Sequence, residues 1–175
     1  MRKAWMSLIL GLWAGVLIAS DRPEDAAQAV FDRISALQIS GLPSADQQAQ
    51  LREALSPALN QALDEARAWQ QQEIERMARE APDEKPPMIE GDYFSSLYEG
   101  AQSAEVATAA TEGPRSVVSL TRRYQEAGSE PLQWTDRALM VEVDGRWLLD
   151  DVEYGGDWAF QAGSRSLRQT LAARD

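Results

Sequence analysis

"VEVDGRWLLDDVEYGGDWAF", residues 141–160, holds two β-like runs about Asp144-Gly145, then paired carboxylates, then a Gly-Gly break. Asp-Gly between apolar runs is a strong two-residue hairpin signal, because a type I′ turn wants positive φ at both central positions. Such a turn sets Val141 opposite Leu148, Leu139 opposite Asp150 and Ala138 opposite Asp151. Successive strand residues point to opposite faces, so a regular strand splays Asp150 and Asp151 apart. Asp150 then shares a face with Arg137, Leu148, Val152 and Tyr154, and Asp151 with Trp134, Met140, Trp147 and Leu149. A cooperating acid/base pair needs both groups on one substrate. The favoured reading is therefore a strand end, solvated or paired with Arg137. The rival reading puts one Asp in a pocket, its pKa raised by desolvation, as a base.

Working outward, "RSVVSLTRRY" (115–124) and "PLQWTDRALMVEV" (131–143) add β-branched, alternating runs before the last strand, "RWLLDDVEY" (146–154). A first strand around Ala104 to Ala109 is the alternative to a short helical turn there. Upstream lie three helical patterns. Pro23, Glu24 and Asp25 suit a first turn, and Ala27, Val30, Phe31, Ile34 and Leu37 make one stripe that Gly41 and Pro43 end. Ser44 caps a short helix burying Leu51, Ala54 and Leu55. Pro57 opens a longer one, its stripe weakened at Gln70 to Gln72 so that the second half projects or bends, and Pro86 and Pro87 follow its end. "SRSLRQTLAARD" (164–175) reads as a closing helix capped by Ser164 or Ser166, with Arg174 near its negative end. Helices first and antiparallel strands after make an α+β domain, with no repeat or second domain.

The N-terminus, "MRKAWMSLILGLWAGVLIAS", has a basic n-region (Arg2, Lys3), an apolar stretch from Ala4 to Ala19 and small residues before "DRPED". It reads as a secretory signal over residues 1–20, cleaved near Ser20, leaving one domain at 21–175. The rival is a retained anchor, for which the apolar stretch is short of the roughly 20 residues a spanning helix needs. Taking Arg2 and Lys3 from the 17 basic residues leaves 15 against 28 acidic ones, a balance of −13. Such a surface repels nucleic acid and anionic membrane faces, so no nucleic-acid partner and no membrane contact after cleavage are expected. The signal itself makes a periplasmic or secreted protein the expectation.

The chain has no Cys and no His, which closes cysteine nucleophiles, Ser-His-Asp triads and thiolate or imidazole zinc sites. It has no Walker A or dinucleotide fingerprint; "GPRS" and "YGGD" read as ordinary breaks. "IEGDYF" and "APDEKPP" lack calcium-loop spacing. No metal and no cofactor is expected. The catalytic candidates that remain are Asp150, Asp92, Tyr93 and Tyr154; the ligand-binding candidates are Trp134, Arg137, Trp147 and Trp158. Each has a bland counterpart: a Tyr covering the core with its hydroxyl in water, or a Trp packing the rim.

"IEGDYFSSLYEGAQS", "QWTDRALMVEVDGRWLLDDVEYGGDWAF" and "SRSLRQTL" together resemble a family of exported bacterial proteins, domain of unknown function 3828, and the nuclear transport factor 2-like fold. The likeness spans much of residues 88–171, with "EGDYFSS" and "DDVEYGG" its more specific pieces. It implies a curved antiparallel sheet wrapped against N-terminal helices around a cavity, with a short C-terminal helix, and it implies no activity. The expected function is a non-enzymatic binding domain of the cell envelope. Its partner is a small apolar molecule, received in a cavity lined from Val118, Leu120, Leu139, Val141 and Leu148, or an envelope protein. A homodimer is also admitted. The alternative is a small isomerase- or hydrolase-type enzyme using a buried Asp with a Tyr donor.

Overall fold

A computed structural model describes residues 22–156, 158 and 165–173. The expected signal and its cleavage point, the Ser164 cap and Arg174 lie outside the described residues. The described chain is α+β. Three helices, α1 (Pro23–Leu37), α2 (Ala45–Leu51) and α3 (Pro57–Glu80), precede the strands β1 (Ser103–Glu112), β2 (Arg115–Tyr124), β3 (Leu132–Val143) and β4 (Arg146–Glu153). A fourth helix, α4 (Leu167–Ala172), follows them. The strands form one antiparallel sheet in the order β1-β2-β3-β4. No described helix is long and apolar enough to cross a membrane.

Local chemistry accounts for most boundaries. Ser44 and Gln47 form a reciprocal capping box on α2, and Ser56 and Ser166 accept from the backbone of α3 and α4. Pro23 and Pro57 open their helices, where a missing N–H costs nothing. α1 ends with Gln38 in the left-handed region. α3 runs unbroken to Glu80, and past its middle only Met77 is buried. There Gln70 Nε2 donates to the carbonyls of Pro87 and Met88 at 2.9 Å each, tying the returning chain to the helix. Asp144 and Gly145 both take positive φ, 51° and 73°, as a type I′ turn requires.

α1 lies across the sheet, touching all four strands, while α3 and α4 pack on each other and on β4. Ala27, Val30, Phe31 and Ile34 of α1 meet the inner sheet face, where Val118, Leu120, Ala138, Leu149 and Val152 have no exposure left. The lining expected for an apolar cavity therefore divides. Val118 and Leu120 face inward, whereas Leu139, Val141 and Leu148 keep partial exposure on the opposite face.

The register at β4 corrects the sequence reading. Val141 does pair with Leu148, but Leu139 pairs with Asp151 and Ala138 with Val152, because the ladder shifts between Leu139 and Met140. Asp150 is the extra residue of a β-bulge. Leu149 and Val152 are both fully buried across it, so the alternation changes phase between them. Asp150 and Asp151 are not splayed apart: both reach the start of α4.

Candidate functional site

The "DYFSS" loop and the "YGG" exit of β4 meet at a buried polar centre that the sequence reading did not single out. Ser116, Val118, Leu120 and Arg122 share the inner parity of β2, and Trp134, Asp136, Ala138 and Met140 that of β3. Arg122 pairs with Trp134 and Leu120 with Asp136, so the two charges are diagonal neighbours on the core face. Arg122 Nε lies 3.3 Å from Asp136 Oδ2, with Arg122 only 4 % exposed and Asp136 not at all. Its N–H is not aligned for a hydrogen bond, but Arg122 Nη2 donates to the Phe94 carbonyl at 2.7 Å. The guanidinium also sits 4.3 Å from the Phe31 ring centroid, a cation–π placement. Burial pushes the Arg122 pKa down, against Asp136 and Asp92, which raise it.

Asp136 is the collecting point. Its Oδ1 accepts from Ser96 Oγ at 2.7 Å and from the Gly155 N–H at 3.0 Å. Its Oδ2 accepts from Trp134 Nε1 at 3.1 Å and from the Ser96 N–H at 3.3 Å. Ser96 Oγ in turn accepts from the Gly156 N–H at 3.1 Å. One carboxylate thus pins the "DYFSS" loop and the "YGG" exit of β4 to the sheet. The glycines are no ordinary break. A Cβ on Gly155 would lie 1.7 Å from the Thr135 carbonyl oxygen, and one on Gly156 would lie 1.6 Å from the Trp158 ring. Sequence alone did carry a signal for this centre: a charged residue in phase with the apolar face on each of two adjacent strands.

The expected site residues disperse. Asp150 Oδ1 accepts from Ser56 Oγ, the α3 cap, at 2.6 Å, and Oδ2 from Arg168 Nη1 at 3.2 Å. Asp151 Oδ1 accepts from the Val152 N–H at 2.8 Å and the Arg168 N–H at 2.9 Å, adding a second cap to α4. Desolvation raises the Asp151 pKa, partly offset by these donors and by Ser166. Arg137 pairs with Glu153, its register partner, and not with Asp150. The paired aspartates fasten α3 and α4 to a strand end.

Tyr154 and Tyr93 do come together, with the Tyr154 hydroxyl donating to the Tyr93 carbonyl at 2.7 Å. Burial, the largest influence, pushes the pKa of both tyrosines up. Asp92 closes its own loop, Oδ1 accepting from the Phe94 N–H at 2.8 Å. Desolvation raises the Asp92 pKa, with Arg122 the main opposing influence. It borders a cleft of about 350 Å³ lined also by Ser40, Glu90, Tyr98 and Glu99, in which the Tyr98 hydroxyl donates to Glu90 at 3.0 Å. Trp134 and Trp158 meet edge to face, centroids 5.1 Å apart at 78°. Trp147, opposite Glu142 near the hairpin, belongs to neither group. Among the described residues, no group of three or more Asp and Glu is placed to hold a metal ion.

No family model matches the chain, and no curated protein matches it. Among solved structures, it is similar to the solution structure of a SEC-C motif containing protein from Rhodopseudomonas palustris. The two share 15 % identity over 78 % of this chain and 80 % of that one, with a TM-score of 0.44. At that distance nothing of one chain's role passes to the other.

Proposed function

We propose that this chain is an exported, non-enzymatic domain of the cell envelope that works by binding a protein partner. The observation that carries the reading is the contrast between the two sheet faces. The inner face is filled by α1 and the "DYFSS" loop, and its polar groups are committed to one another. The outer face leaves Val117, Leu139, Val141 and Leu148 partly exposed in adjoining register positions. A filled interior favours a macromolecular partner over a small apolar ligand, since a ligand site needs a concave, largely preformed pocket. Within the same proposal the sheet is a nuclear transport factor 2-like cone of the domain of unknown function 3828 family. Bulges in β1 and β4 support the curvature, and the meeting of "EGDYFSS" with "DDVEYGG" supports the family. The periplasmic or secreted location rests on the N-terminal signal pattern.

Native purification from a periplasmic extract, followed by mass spectrometry of what accompanies the chain, tests both role and place. The expected result is a mature N-terminus near Asp21 and a stoichiometric protein that is lost on replacing Leu148 by Asp. A bound lipid or metabolite, or recovery from the cytosol alone, overturns it. A second reading has one observation behind it: Asp92, its pKa raised by burial, borders the 350 Å³ cleft beside Tyr98. That enzyme reading requires turnover abolished by Asp92→Asn in a chain that still folds.

A further inference from the structure

The two edges of the sheet are treated differently. The outer edge of β4 is occupied by the chain itself. The Ser56 N–H donates to the Leu149 carbonyl at 2.8 Å and the Tyr154 N–H to the Arg165 carbonyl at 3.0 Å, with bridges at Leu55–Leu149 and Glu153–Ser166. At β1 the cover is partial. Gln28 Nε2 donates to the Ala104 carbonyl at 3.0 Å, and its Oε1 accepts from the Val106 N–H at 3.1 Å. Among the described residues the side-chain bonds to this edge stop there.

Beyond Val106 a register shift passes over Ala107, and the outward parity changes with it. Glu112 opposite Arg115 closes the two-residue turn at Gly113-Pro114. In an antiparallel ladder that closing pair exchanges its hydrogen bonds, so Glu112, Ala110 and Thr108 turn their backbone groups toward β2. The bond from Ser116 Oγ to the Ala110 carbonyl, 3.4 Å, agrees with that direction. Ala109 and Thr111 therefore point N–H and C=O away from the sheet. The open stretch from Ala107 to Thr111 carries only Ala and Thr, with none of the Pro, Lys or inward charge that ordinarily blunts an edge.

We propose that this edge pairs with the same edge of a second copy of the chain, antiparallel, about a two-fold axis at Ala110. The register follows from the backbone. Ala109 of one copy must face Thr111 of the other, because those residues have outward groups in both. Glu112 then faces Thr108, so no like charges stand directly opposite, and the paired window begins just beyond the reach of Gln28. A second observation selects a copy of this chain over an unrelated extended segment. On the outer face Ala110 pairs with Val117, and Val117 with Leu139; Val117 is 37 % exposed. Placing Ala110 on the axis joins the two half-exposed rows into one apolar strip across both sheets. A groove of about 600 Å³ beside Ala110, Arg115 and Val117 flanks that strip. The inference stands independently of the proposed binding role, which does not require a dimer.

The chain has no cysteine, which makes the test direct. Opposed residues of a non-hydrogen-bonded antiparallel pair have Cα atoms about 4.5 Å apart, within disulfide range. Ala110→Cys in the purified full-length chain is expected to give a covalent dimer on mild oxidation at micromolar concentration, while Glu105→Cys, beside the Gln28-covered part of the edge, stays monomeric. Ala110→Lys brings two ammonium groups together on the axis and is expected to weaken dimerisation at least ~10-fold in sedimentation velocity. A wild-type chain that remains monomeric to about 1 mM, a dimer indifferent to Ala110→Lys, or cross-linking no faster at 110 than at 105 each overturns the proposal.

Discussion

A carboxylate with no solvent exposure survives at position 136 because four hydrogen bonds and a guanidinium replace the water it gives up. Removing one member of such a buried pair leaves the other uncompensated, at a cost of about 3–5 kcal/mol, whereas replacing both with apolar groups costs far less than the sum. Urea unfolding of Asp136→Leu, Arg122→Met and the double variant is expected to show that pattern, and additive losses would mean the charges act separately. Asp92 presents the opposite case, an acid held by burial above its ordinary value of 3.8. It binds its proton more tightly folded than unfolded, so its contribution favours folding at low pH and is lost as pH rises from about 3.8 through the raised value. Asn at 92 keeps an acceptor for the Phe94 N–H and has no proton to lose. The fall in urea midpoint between pH 4 and 7 should therefore be shallower in Asp92→Asn than in the wild type. Equal slopes would place Asp92 in ordinary solvent.

At the level of elements, the readable features were those written locally. Asp144-Gly145 gave the turn, Ser44 one cap and the Ser164-or-Ser166 pair another, which falls to Ser166, and the period-2 runs gave β2, β3 and β4 with boundaries close to those observed. The bulge at Asp150 was not readable, because one extra residue leaves the composition unchanged and shows only when the partner strand is in place. That single residue moved both aspartates from splayed strand positions to the α4 start. Gly155 was not legible for a related reason: it answers to Thr135, twenty residues earlier in sequence, rather than to local turn chemistry. The contrast is measurable. Gly155→Ala drives a Cβ against the Thr135 carbonyl oxygen and should cost at least about 1–3 kcal/mol, the range for overpacking. Gly145→Ala meets open space and pays only for its left-handed φ of 73°, about 1–2 kcal/mol. Thermal unfolding that ranks Gly145→Ala as the more damaging would refute the close-approach account.

Over the whole molecule, the arrangement turns on how a four-stranded sheet with two edges is kept from indiscriminate pairing. α4 matters here out of proportion to its six residues. Leu167 and Leu171 are buried in the common core, and the segment that leads into them covers the β4 edge at Glu153 and Tyr154. Replacing both leucines with Ser removes the packing that holds the helix, and with it the cover. The loss of stability should reach at least the ~2–5 kcal/mol typical of truncating one buried leucine. The more telling consequence is a second open edge. Hydrogen exchange at the Tyr154 amide should accelerate, because its bond to the Arg165 carbonyl depends on that segment staying docked. Light scattering should then reveal association beyond a dimer, since a sheet open at both ends propagates where one with a single open edge closes after one pairing. Adding Ala110→Lys to the doubly substituted chain is expected to cut those assemblies back to pairs joined through β4, without restoring protection at Tyr154. If the leucine variant stays no larger than the wild type while Tyr154 exchanges freely, the docked segment is not what guards that edge.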